Sequence, residues 1–186
     1  MQLKMFEAEG FPSPEQIKKN LNRFVKQALP QEVELAATWY NEARLVAVEI
    51  ATNLGVDLER GAAVLSAFSP RKTWSINVAH AIEYSLTLEA KGTKQIIKKV
   101  LEVTEKGLDA LNGLKTKNFA LAICGDVEAI VLDTWMLKAA GCGRKTLTPK
   151  QYKIISEVVK ELAEEHNLAP VTTQALIWIK ARRRVF

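Results

Sequence analysis

Two lysines and one aspartate have the residue types and the positions that chemistry needs. Lys115 and Lys117 follow the turn Asn112-Gly113 and precede an apolar helix. Backbone N–H groups of such a turn can point outward, and the helix that Thr116 is expected to cap adds partial positive charge at its N-terminus. Two ammonium groups beside the same turn therefore predict a phosphate-binding site. We expect Gly113 to have a backbone conformation, or an approach to phosphate, that a side chain prevents.

The aspartate, Asp133, follows the apolar residues 129–132 and precedes Thr134-Trp135-Met136. Asp is a common helix N-cap, because its carboxylate accepts hydrogen bonds from first-turn N–H groups. The sequence therefore predicts that a helix begins directly after Asp133.

Start signals and helical periodicity predict the elements that position these residues. A capping residue followed by proline or by apolar residues at helical spacing marks helix starts at Ser13-Pro14, Asp57, Thr73, Thr93 and Thr148-Pro149. Residues 31–54 predict a long amphipathic helix, and the apolar run 61–68 predicts a helix that is buried on all sides. No segment alternates with period two, so we expect an all-α protein. The tryptophans are expected in its core.

Three segments resemble the helix-hairpin-helix DNA glycosylases of the endonuclease-three type. Their hairpin reads roughly L-x-G-V-G-x-K-T-A-N, and Leu111, Gly113, Leu114 and Lys117 are similar to it in order. The run 131–134, Val-Leu-Asp-Thr, resembles the segment that holds the family's catalytic aspartate. Residues 65–67, Leu-Ser-Ala, with 77–78, Asn-Val, resemble the family's L-S-A…N segment.

The chain also departs from the pattern of that family. Lys115 replaces the second hairpin glycine, and Trp135 replaces the histidine that usually follows D-T. The iron-sulfur tail of four cysteines is missing, since the chain has only Cys124 and Cys142. With no C-x-x-C motif and two histidines, we expect no metal site and no cofactor.

The resemblance implies an enzyme that flips a damaged, mismatched or modified base out of double-stranded DNA and then acts on it. It assigns to Asp133 the stabilisation of positive charge on the sugar. It assigns to Lys117 or Lys115 an attack on the sugar carbon that forms a Schiff base. The alternatives remain open that Asp133 is only a helix cap and that both lysines contact phosphate without catalysis.

The resemblance also implies which residues contact DNA. At the gap left by the extruded base it places Phe68 or Arg71. The alternative is that Phe68 belongs to the core and that Arg71 is a solvated turn residue. The remaining contacts come from the hairpin and from the turn before it, namely Gly113, Leu114, Lys115, Thr116, Lys117, Ser69, Arg71 and Lys72. A second class of function is a helix-hairpin-helix DNA-binding protein that has kept this scaffold without catalysis.

The resemblance shapes the expected organisation of the chain. We expect residues 1–186 to form one compact unit of two lobes that share a groove. Lobe one comprises residues 1–56 and 130–186. Lobe two comprises residues 57–129 and contains the helix-hairpin-helix motif at 108–124.

The charge and the hydropathy of the chain limit the kinds of partner that it can bind. Lysine and arginine total 26 against 21 acidic residues, for a net charge of +5. Part of this excess lies at residues 181–184 and at Arg71-Lys72, which favours an anionic partner, although a solvated basic surface explains the same charge. No apolar run approaches the roughly 18 to 20 residues of a spanning helix. We expect a monomer in the cytoplasm that is nucleoid-associated when bound to DNA.

Overall fold

Capping residues set where the helices begin. The structure, a computed structural model, describes residues 11–143 and 146–183. These residues form nine α-helices, one 3₁₀ helix and no strand, so the predicted all-α class is confirmed. The α-helices are α1 Pro14–Lys26, α2 Pro30–Leu54, α3 Leu58–Phe68, α4 Trp74–Thr87, α5 Lys94–Lys106, α6 Leu114–Cys124, α7 Thr134–Ala140, α8 Pro149–Glu165 and α9 Pro170–Arg183, with the 3₁₀ helix Gly107–Ala110 before α6.

The predicted start signals are the N-caps of these helices. The side chains of Ser13, Asp57 and Thr93 each accept a hydrogen bond from a first-turn N–H group. Thr148 and Gln151 form a capping box at the start of α8, which satisfies two N–H groups that the helix itself leaves without a partner. Thr73 is the N-cap of α4, but its hydroxyl contacts the Ser75 hydroxyl at 3.3 Å and makes no capping bond to the helix backbone.

The chain divides into two units, and the first contains α1, α2 up to Trp39, α7, α8 and α9. In this unit α1 packs against α7, α8 and α9. The apolar face of α1 is buried, with Ile17 and Leu21 fully inaccessible. Helix α8 also buries apolar residues at helical spacing: Ile155, Val158, Val159 and Leu162.

The second unit contains α2 from Tyr40, α3 to α5, the 3₁₀ helix and α6. Helix α3 packs against α4, α5, α6 and the 3₁₀ helix. Every residue from Gly61 to Phe68 is buried, which confirms the prediction for this run. A Cβ on Gly61 would lie 2.3 Å from the carbonyl oxygen of Ala47 in α2, so glycine lets the two helices approach closely.

Helix α4 ends at Thr87, where Leu88 adopts the left-handed conformation at the C-cap. The division of the chain differs from the expected one. The expected lobes divided the chain after residues 56 and 129, whereas the contacts divide it after Trp39 and Asp126. The first division lies earlier because the end of α2 packs on α3, as the contact at Gly61 shows.

Candidate functional site

The turn before α6 is closed by the first residues of the helix. Gly113 is the N-cap of α6. Its carbonyl oxygen accepts hydrogen bonds from the Lys117 N–H at 2.9 Å and from the Thr116 hydroxyl at 3.0 Å. Thr116 therefore lies inside the first turn, and the prediction that it caps the helix is wrong, because the backbone at Gly113 already closes that turn.

The N-cap of α6 is a glycine, which has no side chain to cap the helix, and the first turn holds no acid. Gly113 has φ −83° and ψ 128°, which any residue adopts, so the expectation of a special backbone conformation is wrong. A Cβ there would lie 3.1 Å from the Thr116 hydroxyl oxygen. Gly113 and its neighbour Leu114 are both exposed, so glycine here leaves the N–H groups of the first turn accessible to a partner.

The second unit brings Lys115 and Ser69 together. Nζ of Lys115 lies 3.5 Å from Oγ of Ser69, the residue that follows α3. The hydroxyl of Ser66, in the L-S-A segment, donates a hydrogen bond to the Thr116 carbonyl at 2.7 Å. These two contacts fix the end of α3 beside the start of α6. Lys117 is exposed on the same first turn.

The two basic residues in the turn between α3 and α4 differ in their exposure and contacts. Arg71 is exposed and has φ 61°. Lys72 contacts Nδ1 of His80, lies 5.1 Å from the centre of the Phe68 ring, and has its pKa lowered by burial. Phe68 is 0% exposed, so the hypothesis that it fills a gap in DNA is wrong and the core alternative holds. Arg71 is thus the exposed one of the two basic residues in this turn.

Asp133 is the N-cap of α7, in the first unit. Its Oδ1 accepts hydrogen bonds from the N–H groups of Trp135 at 2.9 Å and Met136 at 3.0 Å. Its Oδ2 accepts one from the indole Nε1–H of Trp178 at 2.8 Å. The predicted capping role is confirmed. Both carboxylate oxygens have partners, while the residue remains partly exposed.

Tyr152 forms hydrogen bonds that hold in place the segment before Asp133. Its hydroxyl donates a hydrogen bond to the Ile130 carbonyl at 2.6 Å and accepts one from the Leu132 N–H at 3.3 Å. All three residues are buried, so these backbone groups have no access to bulk water. Tyr152 thereby positions the chain just before the carboxylate.

Removing that hydroxyl is expected to destabilise the first unit. Tyr152→Phe leaves a buried carbonyl and a buried N–H without their partner, which costs about 1 to 3 kcal/mol in the free energy of unfolding. Chemical denaturation measures this value. The control is Tyr84→Phe, because its partner Thr104 keeps a second bond to the Val100 carbonyl at 2.8 Å. Equal losses in the two variants would contradict the bracing role.

The aromatic surroundings of Asp133 were missed from the sequence. Trp39 packs edge-on against Trp178, with ring centres 5.4 Å apart, and the Arg182 guanidinium lies 4.5 Å above the Trp178 ring. Lys138 lies 4.5 Å above the ring of Trp135 in the same way. The prediction that the tryptophans are core residues is wrong, because all four are partly exposed: Trp39, Trp74, Trp135 and Trp178. Helical spacing is the signal, since each cation is three or four residues from its ring.

The candidate residues thus fall into two groups. The second unit holds Gly113 to Lys117 with Ser69, Arg71 and Lys72, and the first unit holds Asp133. Of the basic C-terminal run, Arg182 is stacked on Trp178, and Arg184 lies outside the described residues.

The cysteines do not form a reactive centre. Burial raises the pKa of the Cys142 thiol to about 11, and burial is also the main cause that raises the pKa of Cys124. Both thiols are therefore protonated at neutral pH. In the described part of the chain, no cluster of three or more His, Cys, Asp or Glu residues could hold a metal ion.

None of the described helices combines the length and the apolar character that crossing a bilayer requires.

The chain belongs to DUF7178, a family of unknown function, whose model matches residues 7–185. No curated protein and no solved structure matches the chain.

Proposed function

We propose that this member of DUF7178 is a helix-hairpin-helix DNA-binding protein that excises, or otherwise acts on, a damaged, mismatched or modified base. The observation that carries the proposal is the start of α6. The N-cap Gly113 has no side chain to cap the helix, and the first turn holds no acid but carries Lys115 and Lys117. The Ser69 hydroxyl lies 3.5 Å from Nζ of Lys115. A helix N-terminus, hydroxyls and ammonium groups together match a phosphate group.

The proposed DNA contacts lie around this point in the second unit. Backbone N–H groups at Gly113 to Thr116 bind one phosphate, and Lys115 and Lys117 neutralise it and its neighbour. Arg71 is the exposed side chain that inserts where the base leaves the duplex. Lys72 contributes less, because it is already engaged by His80 and the Phe68 ring.

The proposed chemistry uses Asp133. Breaking the bond between base and sugar develops positive charge on the sugar, and a fixed carboxylate stabilises that charge. Asp133 is held by three hydrogen bonds and is partly exposed, so it is rigid and accessible, as such a role requires. Lys117, which is exposed, or Lys115 supplies the amine if the reaction passes through a Schiff base. One chain supplies all of these groups, so a monomer is sufficient for the proposed reaction. We place the protein in the cytoplasm, where it would meet DNA.

A second candidate is a DNA-binding protein of the same type without catalysis. The observation that favours it is that both oxygens of Asp133 already have partners within the first unit. A carboxylate that serves only as a helix cap and an indole acceptor shows the same bonds.

Binding is tested by the salt dependence of the affinity for duplex DNA. We expect log Kd to change linearly with log salt, and Lys115→Gln with Lys117→Gln to reduce the slope by about two units, since each phosphate contact contributes about 0.9. The matched control is Lys153→Gln, whose side chain is 77% exposed on α8 and lies outside the proposed contacts. Lack of duplex binding at low salt in the wild type would contradict both candidates.

Catalysis is tested separately on a panel of duplexes that each carry one modified base. Release of the base supports the first candidate. Trapping of a covalent complex with borohydride shows the Schiff base and identifies the lysine, because only the variant of the nucleophile loses the trap. Binding without base release or trapping across the panel supports the second candidate.

A further inference from the structure

The outer face of α5 carries a shallow, open groove. All six residues that line it lie on this one helix: Lys94, Ile97, Lys98, Leu101, Glu102 and Glu105. The opposite face of the helix buries Val100 and Val103 in the second unit. Leu101 is 53% exposed although it is apolar. Within the described residues, therefore, no side chain fully covers this face of α5, and part of its apolar surface is exposed.

The charges on this face are segregated along the helix. The basic residues Lys94 and Lys98 lie in the first half of the helix and Glu102 and Glu105 in its last turns, while Ile97 and Leu101 lie on either side of Lys98. The helix dipole favours the opposite order, since anions stabilise the N-terminus and cations the C-terminus. The dipole therefore does not explain why these four charges are arranged in this way.

The ion pairs within the described part of the chain do not involve the two residues at the ends of this face. Glu102 contacts Lys99 at 2.6 Å and Lys98 at 3.9 Å. Lys94 and Glu105 are exposed, and neither forms an ion pair within the described part of the chain. The two ends of the groove thus present opposite charges to whatever covers it.

We propose that this face of α5 binds the same face of a second copy of the chain, with the two helices antiparallel. A two-fold axis near Lys99 brings Ile97 of one copy to Leu101 of the other. The same symmetry places the basic half of each helix, from Lys94, against the acidic half that ends at Glu105 of the second copy. The contact is self-complementary, as a two-fold interface must be.

Charge complementarity selects this occupant. Duplex DNA is repelled by Glu102 and Glu105 at one end of the groove, and a parallel arrangement of two copies sets like charges against each other. A helix that runs antiparallel to α5 fits when its own N-terminal half is basic and its own C-terminal half is acidic. Helix α5 itself has this distribution of charge.

The association is expected to be weak. One pair of 13-residue helices covers less than the roughly 1,200 to 2,000 Å² of a stable interface, so the dimer forms only at high protein concentration. This inference departs from the monomer that the sequence favours. It is independent of the proposed DNA contacts, because none of those residues lies on α5.

Sedimentation velocity tests the proposal on the full chain. We expect the wild type to shift from monomer towards dimer as its concentration rises to roughly 1 mM, the range of weak association. The shift should diminish when salt is added, because exposed charges are screened. A monomer across the whole range at low salt overturns the proposal.

Charge-swap variants test the antiparallel arrangement. Lys94→Glu with Lys98→Glu, and Glu102→Lys with Glu105→Lys, each put like charges together and should weaken self-association by about tenfold or more. An equal mixture of the two variants restores complementarity and should associate more tightly than either alone. A mixture that associates no better than its components overturns the proposal.

A third variant addresses the apolar centre and keeps the test independent of charge. Leu101→Asp, at a position already exposed, should abolish association while thermal unfolding shows a folded chain. Undiminished association of this variant also overturns the proposal.

Discussion

Asp133→Asn is expected to lower the proposed base excision on the order of a hundredfold or more, because the variant loses the negative charge that we propose stabilises a cationic sugar. Duplex binding should persist or tighten, since a carboxylate near phosphates is repulsive in the ground state. Single-turnover base release and equilibrium binding measure the two effects. The folded state should survive, because an asparagine oxygen still accepts from the N–H groups of Trp135 and Met136.

The bond to Trp178 supplies the matched control for that prediction. In Asp133→Asn the amide nitrogen faces the indole N–H, so two donors meet where an acceptor was. Trp178→Phe removes the same hydrogen bond and leaves the carboxylate charged. If charge is what matters, Trp178→Phe retains most of the activity while its stability falls like that of Asp133→Asn. Full activity of Asp133→Asn on a substrate of the wild type means that Asp133 is only a cap.

Lys180→Met is expected to cost about 3 to 5 kcal/mol in the free energy of unfolding, because it leaves a buried carboxylate without its counter-charge. Nζ of Lys180 lies 2.6 Å from Oε2 of Glu32 and 2.8 Å from the Gln27 carbonyl. The side chains of the pair are only 11% and 8% exposed. Chemical denaturation measures the loss.

A second substitution separates the lost charge from lost packing. Adding Glu32→Gln to Lys180→Met removes the uncompensated charge and keeps an acceptor for the Leu29 N–H, which now donates to Glu32 at 2.9 Å. The double variant should recover part of the stability. Lys153→Met is the exposed control and should change little, since surface ion pairs contribute about 0 to 1 kcal/mol. No recovery in the double variant would show that packing, and not charge, accounts for the loss.

The sequence was most informative where a local rule decides the structure. Ser13, Asp57 and Thr148 cap helices because a side-chain oxygen satisfies the N–H groups of the turn that follows. The burial of α3 follows from its unbroken apolar run. Asp133 was recognised as a cap for the same reason. In each case the interacting groups are only a few residues apart in the chain.

The sequence was least informative where groups meet from distant parts of the chain. Trp178 donates to Asp133 across 45 positions, and Lys115 meets Ser69 across 46. No local pattern encodes such contacts, because they depend on how helices pack. The prediction that Thr116 caps α6 was wrong for another reason. Threonine is a good helix cap at any position, and only the backbone at Gly113 decides where α6 begins.

The division of the chain also has a consequence for its synthesis. The second unit is one continuous segment, from Tyr40 to Asp126, whereas the first unit needs residues up to Trp39 and residues from Val127 onward. Domains fold as units while the chain emerges from the ribosome. The second unit is therefore complete while the first still lacks α7, α8 and α9. Helix α1 exposes its apolar face, with Ile17 and Leu21, to the surroundings of the nascent chain until α8 and α9 arrive.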